Sequence, residues 1–351
     1  IQELTSRVIT RYGGRAFQYD TTEGFTPLRE ALSGYLQAQG IKAAPKEILV
    51  TSGSQGFLDA ISKILINPGD RIAVEAPTYL GALQAFNAYE PAYVQIETDD
   101  HGVIPASIDR ILGSQTVKFI YLVPTFQNPT GRTIPLSRRE EIASIIRKHD
   151  ALLIEDDPYS ALRYSGVAIP TLKSMAPGNV IYVSTFSKIF APGLRIGFLV
   201  APEELGRWLV LAKQGVDLHT NTFTQALATE YLEGGFLAGH LPKILSLYTP
   251  RKEAMLSALD RFFPKGFEWT RPEGGMFVWL RGPEGIDMEQ VYIRAVDKGV
   301  AYVPGRFFFA KEGDGLATAR LNFTFNDEAT IERGVKILAD VIKPPQRESG
   351  R

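Results

Sequence analysis

The chain has 351 residues, 44% of them hydrophobic, enough for a large buried core and two lobes. Its formal net charge of −1 gives no basic face, so nucleic acid is not an expected partner. Without cysteine it holds no disulfide, thiolate metal site or cysteine nucleophile, and no apolar run is long enough to span a membrane, so neither a metal nor a membrane is expected.

The chain opens inside a predicted helix over 1–12, and a further upstream segment is expected. Short apolar strands follow at 47–51, 71–75, 93–96, 117–123, 151–155, 180–183 and 196–200. Amphipathic stretches such as 55–66, 80–87 and 137–149 fall between them. Strands rich in Val, Ile and Leu, separated by helices, predict an α/β fold: a mostly parallel seven-stranded sheet covered on both faces. A long helical region over 224–263 comes next, then strands near 274–280 and 319–325, a last helix over 327–341, and a polar tail after Lys343. These predict a smaller α+β lobe, with a large domain over 1–235 and a small one over 236–351.

In an open parallel sheet, ligands bind beyond the carboxyl ends of the strands. Strand 180–183 runs into Ser184-Thr185-Phe186-Ser187-Lys188, and Pro192-Gly193-Leu194-Arg195 leads into the next strand. Hydroxyls and an arginine suit a phosphate, and a lysine among them suits a Schiff base with an aldehyde. Strand 47–51 runs into Ser52-Gly53-Ser54-Gln55 at a helix start, which is either a phosphate turn or a plain N-cap. Strand 71–75 ends in Ala76-Pro77-Thr78-Tyr79, an aromatic ring at the same edge. Strand 117–123 is followed by Gln127-Asn128-Pro129, where Asn128 either donates to a ligand oxygen or makes a turn. Strand 151–155 is followed by Asp156-Asp157-Pro158-Tyr159, either a turn or two acids that need a cationic or hydrogen-bonding partner. Phosphate donors, an aromatic plate, an amide, a carboxylate and a lysine at five strand ends point to one site.

In these motifs, and in Ala319-Arg320-Leu321-Asn322, the sequence resembles the fold type I, pyridoxal-phosphate-dependent aminotransferases of class I/II, in particular the 2-aminoadipate and multi-substrate group. The resemblance runs over essentially the whole chain and is more specific for cofactor than for substrate. It implies that Lys188 holds pyridoxal 5'-phosphate as a Schiff base and shuttles the substrate proton. Asp156 would pair with the pyridine nitrogen, and is favoured over Asp157 because the tyrosine lies three residues beyond the family's aspartate. Tyr159 and Asn128 would hold the phenolic oxygen, with Asn128 also facing substrate, and Tyr79 would stack on the ring. Gly53, Ser54 and Gln55 would take the phosphate from one side, and Thr185, Ser187 and Arg195 from the other. Tyr19 would reach the phosphate of a neighbouring subunit, which implies a homodimer with shared active sites. Arg320 would clamp the substrate α-carboxylate as a bidentate pair. The polar patch Asp217-Leu218-His219-Thr220-Asn221 is expected near the dimer's second site, with His219 structural.

The expected function is a cytoplasmic aminotransferase exchanging amino groups between an L-amino acid and a 2-oxo acid, with 2-oxoglutarate the common acceptor. The alternatives are the effector domain of a MocR-type transcription regulator and a lyase or decarboxylase on the same cofactor.

Overall fold

The computed structural model describes residues 1–343; the polar tail after Lys343 lies outside the described residues. Its centre is a seven-stranded sheet. In chain order the strands are β1 (Ile48–Thr51), β2 (Arg71–Glu75), β3 (Ala92–Ile96), β4 (Ile120–Leu122), β5 (Leu153–Asp156), β6 (Val180–Thr185) and β7 (Gly197–Val200). Their spatial order is β1-β7-β6-β5-β4-β2-β3. Only β7 runs against the rest: it pairs antiparallel with both β1 and β6, and the other neighbours pair in parallel. Every residue of β1, β4, β5, β6 and β7 is buried. That burial is why these segments read as continuous apolar runs and not as alternating ones.

Helices cover both faces. Ser54–Leu65 turns Phe57, Leu58 and Ile61 inward, and Leu136–Lys148 buries Ile142 and Ile146. The region expected as one helix over 224–263 is two, Thr222–Glu233 and Phe236–Phe262. Gly234-Gly235 breaks it, and Gly235 sits at φ +72, where a side chain is disfavoured. Along Phe236–Phe262, Leu237, Leu241 and Leu245 pack on the large core, while Met255, Leu256 and Leu259 belong to a second core. That second core lies against a small antiparallel sheet of four strands: β8 (Glu268–Trp269), β9 (Phe277–Arg281), β10 (Val303–Pro304) and β11 (Thr318–Asn322), in the order β8-β9-β11-β10. Strand β9 starts later than expected; before it, Gly274 and Gly275 are pressed against Phe126, leaving no room for a Cβ at either.

Candidate active site

The carboxyl ends of β1, β2, β4, β5 and β6 all open onto one cleft of about 410 Å³. Ser54, Gln55, Tyr79 and Asn128 line it from the first three strands. Asp156, Tyr159, Thr185, Ser187, Lys188 and Arg195 line it from β5 and from the loop joining β6 to β7, and Arg320 reaches it from β11.

Because β7 is antiparallel to β6, the chain turns back after Lys188, and Gly197 pairs with Thr185 on one side and Thr51 on the other. Arg195 therefore returns to the end of β1. A Cβ built on Gly53 would stand 2.2 Å from Arg195 Nη2, so the guanidinium lies directly on the Gly53 backbone. Gly53 has φ +81 and precedes the helix Ser54–Leu65, whose first N–H groups face the same space. Thr185 Oγ1 contacts Ser187 Oγ at 2.9 Å and accepts from Ser187 N at 3.1 Å. Hydroxyls, helix N–H groups and a guanidinium thus converge, a donor set suited to a phosphate dianion. Behind it Ser52 Oγ donates to Asp217 Oδ2 at 2.6 Å, and Lys213 Nζ holds Asp217 Oδ1 at 2.6 Å. The polar patch at 217–221 therefore braces the turn of its own chain; His219 Nδ1 lies 2.9 Å from the Thr220 carbonyl.

The adjacent acids Asp156 and Asp157 are both buried, but their partners differ. Asp157 accepts from Tyr182 Oη at 3.0 Å on Oδ2 and from Ser160 N at 3.2 Å on Oδ1, so both its oxygens are used. Asp156 accepts from Tyr121 Oη at 2.6 Å on Oδ2, while its Oδ1 is buried with no partner among the described residues. Burial above all, and then the charge of Asp157, push the Asp156 carboxyl up to about 7, against the Tyr121 hydrogen bond and Lys188. The Lys188 ammonium is held below its ordinary value by burial first, then by Arg320 and Arg195, with Asp156 opposing.

At the far wall, Arg320 Nη1 donates to Asn128 Oδ1 at 2.8 Å, and Asn128 Nδ2 donates to Tyr159 Oη at 3.3 Å. The guanidinium lies 4.1 Å over the Phe277 ring and 5.1 Å from that of Phe308. Its Nε is buried without a partner among the described residues. Tyr79 folds back over Gly81, where a Cβ would lie 2.5 Å from the ring, and Gln55 Nε2 donates to the Gly81 carbonyl at 3.0 Å. Tyr19 stands apart from the cleft, 81% exposed and edge-on to His219 at 5.5 Å.

The family model for aminotransferase class I and II matches residues 3–338. The chain belongs to that family. It is 48% identical over 355 residues to aromatic-amino-acid aminotransferase 1 of Thermococcus litoralis, covering 99% of this chain and 85% of that protein. A multiple substrate aminotransferase from Thermococcus profundus superposes with a TM-score of 0.92 at 46% identity, covering 97% of this chain and 86% of that one. LysN, an α-aminoadipate aminotransferase of Thermus thermophilus solved with N-(5'-phosphopyridoxyl)-L-leucine, gives 0.92 at 38% identity, covering 97% and 87%. The protein is therefore an aminotransferase that uses pyridoxal phosphate, and the aminotransferase reading prevails over the regulator and lyase alternatives.

The cleft of this aminotransferase fits that cofactor. Asp156 Oδ1, without a partner among the described residues, suits a cationic N–H; the Arg195 guanidinium against the Gly53 backbone suits a phosphate; and the Lys188 amine, held below its ordinary pKa, lines the same cleft. Three contributors escaped the sequence reading. Phe277 and Phe308 flank Arg320, and Tyr121 holds Asp156. A signal existed for the last: Tyr121 is a hydroxyl inside the buried apolar run Phe119-Ile120-Tyr121-Leu122, where a polar tip needs a partner.

Proposed function

We propose that this cleft carries out ping-pong transfer of an amino group from an L-amino acid to a 2-oxo acid, with 2-aminoadipate, aromatic or aliphatic donors and 2-oxoglutarate as the common acceptor. The observation that carries the reading is the contrast between the two buried acids: Asp157 is fully engaged, and Asp156 keeps one oxygen free. The names of similar proteins, an aromatic-amino-acid aminotransferase and an α-aminoadipate aminotransferase, support the donor classes.

When bound, the cofactor supplies an aldehyde that condenses with a primary amine and a cationic ring that withdraws electrons from the substrate's α-carbon. Lys188 Nζ would be the amine that holds the cofactor's aldehyde carbon and the base for the α-carbon proton; its lowered pKa leaves it neutral, and so nucleophilic, at lower pH than an ordinary lysine. Asp156 Oδ1 would accept from the ring nitrogen and favour its protonated form. Tyr159 and Asn128 would hold the phenolic oxygen, and Tyr79 would cover the ring. Ser54, Gln55, Thr185, Ser187 and Arg195, with the Gly53 backbone, would hold the phosphate. Arg320 binds the substrate carboxylate through its free Nε and one Nη, a fork that a carboxylate matches.

The same proposal takes the enzyme as a cytoplasmic homodimer whose exposed Tyr19 reaches the partner's phosphate; a monomer with full turnover would exclude that part. It also takes 1–235 as the cofactor-binding domain and 236–351 as the small domain, joined by the helix Phe236–Phe262, which packs on both cores. The test is a panel of amino donors with 2-oxoglutarate, followed through the cofactor's absorbance in each half-reaction. Release of carbon dioxide, or of ammonia without transfer, would make the enzyme a decarboxylase or lyase. No absorbance change with any donor would remove the reading.

A further inference from the structure

We propose that Tyr121 is a positioning residue for Asp156: its hydroxyl occupies Oδ2 and so reserves Oδ1 for the ring nitrogen of pyridoxal phosphate. The proposal rests on the reading of Asp156 as the ring's partner.

Tyr121 sits in β4, next to β5 in the sheet, and its register partner there is Ile154, two residues before Asp156. Its ring is fully buried and packs edge-on against Phe86 at 5.4 Å, which fixes where the hydroxyl points. That hydroxyl donates to Asp156 Oδ2 at 2.6 Å, a short bond of the kind made to a charged acceptor. Burial and the neighbouring Asp156 raise the Tyr121 hydroxyl well above its ordinary value, so it stays protonated and keeps a proton to donate to the carboxylate.

Two consequences follow for Asp156. The carboxylate cannot rotate freely, because one oxygen is tied. A donated hydrogen bond also stabilises the ionised carboxylate and weakens its hold on a proton. A proton shared between Oδ1 and the ring nitrogen then stays on the nitrogen, where the chemistry needs it. Asp157 supplies the internal contrast: Tyr182 donates to it in the same way, but Ser160 N takes its other oxygen. The fold thus places a tyrosine on each acid and leaves a free oxygen on one.

The test compares the full chain with Tyr121→Phe and Asp156→Ala, each loaded with pyridoxal phosphate carrying ¹⁵N in the ring. Tyr121→Phe keeps the ring that packs on Phe86, so the cofactor-free protein should melt close to the parent. The ¹⁵N resonance should move from the pyridinium position toward neutral pyridine. The amino acid half-reaction should slow roughly 10- to 100-fold with KM little changed, as for loss of one hydrogen bond to a charged group. A resonance that stays at the pyridinium position overturns the proposal whatever the rate does, since a merely structural tyrosine would slow turnover without moving the ring proton. Tyr121→Leu, which deletes the hydroxyl with a different change of packing, must move the resonance the same way; a shift in one variant only also overturns it. Asp156→Ala tells this failure from that of the underlying reading. If Asp156→Ala leaves the resonance unmoved, Asp156 is not the ring's partner and both fail. If it shifts the resonance and neither Tyr121 variant does, only the assignment of Tyr121 fails.

Discussion

Arg320→Lys is the substitution that best separates the proposed carboxylate clamp from a merely buried cation. Arg320 is tied at Nη1 to Asn128 and flanked by Phe277 and Phe308, with Nε buried and unpartnered. A substrate carboxylate would take Nε and the remaining Nη as two parallel bonds. Lysine keeps the positive charge but offers a point donor, loses one bond of the fork, and cannot also reach Asn128. One charge-assisted bond lost, with Asn128 left short of its donor, corresponds to about 2–3 kcal/mol, or roughly 30- to 160-fold in kcat/KM. The loss should be similar for every amino acid and every 2-oxo acid, because all share the α-carboxylate. Half-reactions run in both directions over acidic, aromatic and aliphatic substrates measure it, with cofactor affinity titrated alongside and expected to hold. A loss confined to acidic substrates would place Arg320 at the side-chain carboxylate, and unchanged kinetics would refute the clamp.

Lys188→Ala should abolish the absorbance of lysine-linked cofactor and nearly all turnover; a borohydride-reducible adduct at another lysine would overturn the assignment. Gly53→Ala puts a Cβ 2.2 Å from Arg195 Nη2 at a φ of +81, so cofactor affinity should fall at least about tenfold by absorbance titration while the protein still folds. An unchanged affinity would detach Arg195 from the phosphate. In the cofactor-free protein, Asp156 has its folded pKa raised from 3.8 to about 7, so the folded state binds the extra proton and stability falls as pH rises between those values. Asp156→Asn removes that slope. Thermal melts should show the variant gaining on the parent as pH rises, by up to about 4 kcal/mol above neutrality, with no difference in slope if the carboxyl titrates normally.

The sheet and the strand-end motifs were legible because parallel strands buried on both faces are written as unbroken Val, Ile and Leu, and because the motifs at Ser54, Tyr79, Asn128, Asp156 and Lys188 stand at or just beyond the ends of such strands. The reversal of β7 was not: its composition matches its neighbours, and only pairing with Thr51 and Thr185 reveals its direction. Gly234-Gly235 is a visible break that helical periodicity on both sides overrode. Within Asp156-Asp157, the distance to Tyr159 pointed to the first acid; in the structure each acid accepts from a tyrosine, and what separates them is Ser160 N, which takes the second oxygen of Asp157 while Asp156 Oδ1 has no partner among the described residues. Phe277 and Phe308 look like core aromatics in sequence, and become part of the site only because β11 carries Arg320 beside them.

The reversed strand also explains why so much of the site comes from one short loop. A parallel continuation after β6 would need a crossover of a dozen or more residues on a face of the sheet. Returning antiparallel, the chain keeps Thr185, Ser187, Lys188 and Arg195 between two adjacent central strands, with Phe186 N bonded to the Ile196 carbonyl at 3.0 Å to close the loop. The constraint falls on the backbone. Arg195 adopts φ +53, a left-handed conformation that a non-glycine residue enters only when its surroundings impose it. Gly197 is so close to Thr51 and Gly53 that a Cβ would come within 3.0 Å of both. Strain at Arg195 and the missing side chains at Gly53 and Gly197 are three consequences of one geometry, which brings a guanidinium from the start of β7 onto the turn after β1. Lys188 and Arg195 are thereby held relative to each other by the hydrogen bonds that join β1, β7 and β6.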